Sequence, residues 1–308
     1  MTLVPPARAG ITGAGRPRTE LQKGGHRIAV KKQHIIVAAF ILGLLAGVSV
    51  LLYPYIGAYF NTFSQSRAVA YYLDDVKAMD TGELDAALQS AREYNSKLLR
   101  SPGRFEFTPE STAEYQRQLN TGRGIMGILV VDKINVKLSI YHGTDQGVLQ
   151  VGLGHMEGTS LPVGGTGTHS FITGHRGVPS ATLLTDLGQL VNGDIFTLYV
   201  LGETLTYEVD DIQTVTPYEI EKLEIDPAMD YCTLVTCTPY GVNTHRLLVR
   251  GHRIDTAASA SWGALFAEAR WLDYPIVILI FMVPVIPVLI IFLMIRCRRI
   301  HKLGGTIR

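Results

Sequence analysis

A mainly β domain, closed or nearly closed into a barrel, is what this 308-residue sequence predicts for its middle, and three observations predict it. Seven short runs of branched or alternating apolar residues recur at 128–131, 136–140, 168–173, 195–201, 205–212, 232–237 and 246–251. Glycine and proline turns separate them, as turn residues separate strands. No long helical period alternates with them, which argues against crossover helices and for a barrel.

The remaining elements follow in chain order. Residues 1–34 are rich in Gly, Pro, Arg and Lys without an apolar period and read as a disordered, basic cytoplasmic tail. Residues 35–57 read as a transmembrane helix. The run 35–53 has no charge over 19 residues, and a helix rising ~1.5 Å per residue nearly crosses a ~30 Å hydrocarbon core in that length. A cleaved signal has a shorter apolar stretch behind a short basic segment, unlike the long segment here. Residues 58–123 read as helical: Ala68, Tyr71, Tyr72, Val76 and Met79 fall at helical spacing, and Leu84, Leu88, Ala91, Leu98 and Leu99 continue it after Asp80. The pattern breaks at 101–109, SPGRFEFTP, into a loop. The barrel domain spans 124–255, a linker 256–273, a second transmembrane helix 274–295 and a basic cytoplasmic tail 296–308. Pro284 and Pro287 kink that helix without excluding it.

Charge agrees with this topology. The formal net charge is +1, yet residues 1–53 carry seven Lys/Arg against one acid and 274–308 carry five against none, leaving −10 in the middle. Basic flanks stay cytoplasmic, so both termini are expected inside and the barrel outside the cell membrane. An acidic centre argues against nucleic acid as a partner and leaves the lipid bilayer as the expected surface. Three cysteines make no disulfide framework: Cys297 lies at the membrane edge, and Cys232 and Cys237, five apart on one strand, face opposite sides. His142, His155, His169 and His175 gather in sequence, but their spacing matches no zinc pattern, and neither metal nor cofactor is expected. Gly152, Gly154 and Gly158 miss the dinucleotide-loop spacing by one residue and read as a turn.

The chemistry gathers at strand ends. Cys237 ends one run and precedes Thr238-Pro239-Tyr240-Gly241, a turn; position alone suits a nucleophile or a small buried hydrophobe equally. His175 stands among glycines in TGHRG (173–177), where backbone and substrate can come close. Arg246 opens the last run nine residues after Cys237, a distance that suits two antiparallel strands with both side chains at one end. Arg250 shares its parity but lies ~13 Å further along. A thiolate nucleophile, an imidazolium to protonate a leaving amine and a guanidinium to hold an oxyanion add up to acyl transfer through a thioester.

On these residues the chain resembles the sortases. TLVTCTPYGVNTHRLLVRGHR (233–253) and TGHRG (173–177) look like the pilin-polymerising class C, as do KINVKLSIYHGT (133–144) and GLGHMEGTSLPVGG (152–165). The likeness covers roughly residues 60–255. It implies an eight-stranded barrel with N-terminal helices, and it carries the nucleophile onto Cys237, the acid/base onto His175, the arginine onto Arg246 and a position lining the substrate groove onto Thr236. It also implies cleavage of an LPXTG-like sorting signal between Thr and Gly, with transfer of the acyl group to a pilin lysine. The partners would then be secreted pilins or surface proteins bearing that signal, in a Gram-positive bacterium. Alternatives are a housekeeping sortase joining surface proteins to peptidoglycan, a hydrolytic cysteine protease, and a silent membrane protein that binds secreted partners. One feature departs from class C, which carries an Asp-Pro-aromatic triplet in a lid loop; residues 95–120 contain none. Phe105, Glu106 and Phe107 are the candidate lid residues instead, with Phe105 or Phe107 over the thiol and Glu106 paired with Arg246.

Overall fold

The computed structural model describes residues 19–178, 183–219 and 224–256. The expected second membrane helix and tail, 274–308, and all but the first residue of the linker lie outside the described residues. The chain divides into two compact units at Tyr53. In the first, the described residues 19–52 belong to helix α1 (Thr19–Ala78). Residues 19–34 are thus helical where a disordered tail was expected, continuous with the helix that the apolar run nucleates. Within α1, Ala39–Ala78 contains a stretch long and apolar enough to cross a membrane. Phe40, Leu42 and Leu51 are more than 70% exposed there.

In the second unit the helices pack on a barrel. The last turns of α1 bury Val69, Tyr72, Leu73 and Val76, and the Tyr72 hydroxyl donates to the Met126 carbonyl while accepting from Leu201 N–H. Helix α2 (Thr81–Leu99) starts on a capping box, with the Asp80 and Glu83 side chains each accepting the other's backbone N–H. This satisfies two of the N–H groups left open at a helix start. Its apolar stripe buries Leu88, Ala91 and Leu98. Helix α3 (Pro109–Arg117) is capped by Thr108 and buries Tyr115.

Eight strands close the barrel in the order β1-β2-β3-β4-β7-β8-β6-β5. They are β1 (Ile125–Val131), β2 (Val136–His142), β3 (Leu153–His155), β4 (Thr168–Thr173), β5 (Ile195–Val200), β6 (Glu203–Val215), β7 (Asp230–Thr238) and β8 (His245–Ile254). Only the β2–β3 and β4–β7 pairs are parallel. Ile140, Leu153, Ile172, Leu198, Leu234 and Val249 point inward and are fully buried.

In the barrel the structure corrects a further sequence expectation. The stretch read as a turn at Gly152–Gly154 holds β3, without which β2 and β4 would not join. Three residues are too few to show a period, and glycine hides the strand. A Cβ on Gly154 would collide with the Gly143 carbonyl, so the close approach of the chains requires glycine. The preceding helix α4 (Gln146–Val151) was likewise not anticipated.

Candidate active site

Strand register brings the three sequence-predicted residues to one rim. β4 lies parallel to β7 with Thr173 opposite Val235, and Gly174 N–H continues the pairing onto the Val235 carbonyl at 3.0 Å. His175 and Cys237 each follow two residues later. β7 and β8 are antiparallel with Cys237 directly opposite Arg246, the pairing that the nine-residue spacing predicts. Neighbouring strands are ~4.8 Å apart, so the three occupy one end of three adjacent strands. All three are half-buried.

The surroundings hold their backbones. The His175 carbonyl accepts from Leu184 N–H at 3.3 Å. The Arg246 Nη1 donates to the carbonyls of Asn243 and His245 at 3.2 and 3.1 Å, fixing one edge of the guanidinium at the loop. Both described cysteines are free. Cys232, on the opposite face of β7, is fully buried, and burial followed by the nearby Asp230 carboxylate pushes its thiol well above its usual range.

Thr236 points away from the Cys237 face. Its parity is opposite to that of Cys237, so its side chain turns inward, is 1% exposed, and donates to the Gly174 carbonyl at 2.8 Å. It therefore braces the residue before His175. On the Cys237 face of the strands Phe171, Val235 and Leu248 form a small apolar cluster with Met156 and Val215. Sequence reasoning missed this cluster, although the alternation 233, 235, 237 and 246, 248 is a signal for it.

The loop 101–109 lies along the β3–β4 connection. A Cβ on Gly158 would meet the Phe105 ring at 2.6 Å and the Arg104 carbonyl at 2.7 Å, so Phe105 packs on that glycine. The Arg104 guanidinium sits 5.0 Å over the Phe105 ring. Phe107 is 53% exposed. Glu106 folds back against Gly103, and the expected Glu106–Arg246 pairing is not formed: Arg246 is turned to its own loop carbonyls. The short spacing to Gly103 makes that local contact cheaper in chain entropy than a reach across the barrel rim.

The other clustered histidines are wired into the fold. His155 is fully buried between the Tyr115 hydroxyl (3.1 Å) and the Ser160 carbonyl (2.8 Å), and burial lowers its pKa to about 4. His169 donates from Nδ1 to the Glu224 carbonyl and accepts at Nε2 from the Thr233 hydroxyl at 2.7 Å; burial lowers it to about 4 as well. His142 reaches the Gln118 carbonyl at 2.6 Å, and burial lowers its pKa despite that contact.

The chain is similar to known proteins in both sequence and fold. The sortase domain matches residues 129–254. A sortase D of Bacillus subtilis is 26% identical over 182 residues, 58% of this chain and 88% of its own length. The crystal structure of sortase C1 from Streptococcus agalactiae is 47% identical, with a TM-score of 0.60 over 62% of this chain and all of that one. Sortase C of Streptococcus pneumoniae, whose structure is described in terms of catalysis and pilin substrate specificity, is 41% identical with a TM-score of 0.57, covering 62% of this chain and 98% of that one.

Proposed function

This chain belongs to the sortase family of cysteine transpeptidases, and from that premise we propose that Cys237, His175 and Arg246 form its active site and that it polymerises pilins. The observation that carries the reading is the register of Cys237 against Arg246, with the β4 end bearing His175 on the other side.

In this reading the Cys237 thiolate attacks the Thr carbonyl carbon of an LPXTG-like signal. An S–C bond forms, the carbonyl oxygen takes the electron pair, and Arg246 donates to that oxyanion. Among the described residues its Nε and Nη2 have no protein partner, which suits that task. The oxyanion collapses, the C–N bond to Gly breaks, and the His175 imidazolium gives its proton to the departing amine. A pilin lysine amine then attacks the thioester. Its proton passes to His175, and the thiolate leaves.

The apolar floor of Phe171, Val235 and Leu248 suits the Leu-Pro part of such a signal. Residues 101–109 act as a cover over the β3–β4 side of that floor, through Phe105 on Gly158, with Met156 and Thr159 tied to Phe171 beneath. The likeness to the pneumococcal enzyme supports a pilin as substrate. The exposed apolar stretch of α1 supports a membrane anchor that holds the barrel near secreted partners. Expected placement is with both termini cytoplasmic and the barrel outside.

The test is partition of product. With an LPXTG-containing peptide, added amine should divert product from hydrolysis to the amide in proportion to amine concentration. A pilin lysine peptide should be the preferred acceptor. Hydrolysis that no amine diverts would mark a protease, and preference for a peptidoglycan-like amine would mark the housekeeping reaction.

A further inference from the structure

We propose that Arg176 is a positioning residue for the Cys237–His175 pair, a strap between the loop that carries the imidazole and the turn that follows the thiol; this rests on the reading of Cys237 as nucleophile. Arg176 directly follows His175, and Thr238 directly follows Cys237. The Arg176 Nη1 donates to Thr238 Oγ1 at 3.2 Å. On the strand side, Gly174 N–H donates to the Val235 carbonyl and the Thr236 hydroxyl to the Gly174 carbonyl. Hydrogen bonds therefore bracket both reacting residues, before them in the chain and after them. Without Arg176 the two loops would lose their only hydrogen bond beyond the reacting residues among the described residues.

Two features set Arg176 apart from a solvated charge at a strand end. Its Nε is buried and, among the described residues, has no hydrogen-bond partner. A guanidinium held this way costs stability that an apolar side chain would spare, so packing alone does not explain its presence. The neighbouring contact repeats the arrangement: Gly177 sits at φ 75° with its Cα beneath Tyr240, and a Cβ there would lie 3.0 Å from that ring. The loop after β4 and the turn after β7 thus interlock twice, once by a hydrogen bond and once by a ring on a glycine. Arg176 also passes over Gly188, where a Cβ would lie 3.6 Å from Nη2.

A strap that sets thiol–imidazole geometry acts on the chemical step and leaves substrate affinity alone. In the full-length chain in detergent, Arg176→Gln should lower kcat for thioester formation at least tenfold with KM within threefold. Thr238→Ala should give a similar loss. The double variant should lose no more than the worse single one, because both remove the same tie. Alkylation of Cys237 by a small neutral reagent and the melting temperature should stay close to wild type in the Thr238→Ala chain. Rates within twofold of wild type in Arg176→Gln, losses that multiply in the double variant, or losses that track the melting temperature would overturn the proposal. If Arg176→Gln does not fold, Thr238→Ala decides: a tenfold kcat loss supports the strap, and an unchanged rate ends it. Cys237→Ala runs alongside; a thioester that survives in it would refute the nucleophile itself, whatever the Arg176 variants do.

Discussion

Each end of the β4–β7 pair carries one histidine and one cysteine, yet the two ends are built for different things. At the start of the strands His169 is buried, bonded at both ring nitrogens and held to a pKa of about 4, while Cys232 on the adjoining position faces the barrel interior. At the far end His175 and Cys237 are half-buried at the rim, with Arg246 across from the thiol. The residue types are the same. Parity and burial separate them: a one-residue change of parity turns a thiol from rim to core. Residue identity proposes chemistry, and the register of the strand disposes of it.

The largest difference expected between the ends is in thiol reactivity. Iodoacetamide on the folded chain, followed by peptide mapping, should modify Cys237 on the order of a thousandfold faster than Cys232, which reacts only when the barrel opens. Comparable rates would break the contrast.

Next in size is the pair of arginines on β8. Arg246→Ala should lower kcat by roughly 10²–10³, the loss seen when an oxyanion donor is removed. Arg250→Ala removes an ion pair to Asp210 at 2.9 Å and a contact over the Tyr231 ring. It should change the rate by no more than about threefold and stability by about 1 kcal/mol. Equal losses would show that the rim is not special.

The smallest effect sharpens the comparison through pH. His155 and His169 titrate near 4 in the folded chain, below the ~6.5 of an unfolded one. The folded state therefore binds fewer protons between those values. Their contribution is complete above about pH 6.5 and is lost as pH falls towards 4, by at most about 3 kcal/mol for each ring. Denaturant unfolding measured from pH 7 to 4.5 should show this decline, and His169→Gln should flatten it. A slope unchanged by that substitution would mean that His169 is not held neutral.

Much of this was legible beforehand, and the reasons differ by element. The seven long strands announced themselves by alternation, and the Cys237–Arg246 pairing by a spacing that admits few geometries. β3 was invisible because three residues with a glycine at the centre carry no period, and its place is set by the partners it bridges. Likeness to a family position says nothing of side-chain parity, which puts Thr236 beneath Gly174. The loop 101–109 was found as a break in helical spacing, but its resting place on Gly158 depends on a close contact that only the folded chain displays. Arg176 carried no signal of its own beyond standing next to His175.

The central claim is that Cys237 forms the acyl-enzyme, and intact-mass spectrometry of the full-length chain incubated with an LPXTG-containing peptide tests it most directly. Wild type and Cys237→Ala run together, each also with Phe105, Glu106 and Phe107 replaced by alanine. An adduct with the mass of the peptide's acyl half is expected on every chain that keeps Cys237, more of it when the loop residues are removed, and none on Cys237→Ala. An adduct that persists on Cys237→Ala, or no adduct on a Cys237 chain even without the loop side chains, would contradict it.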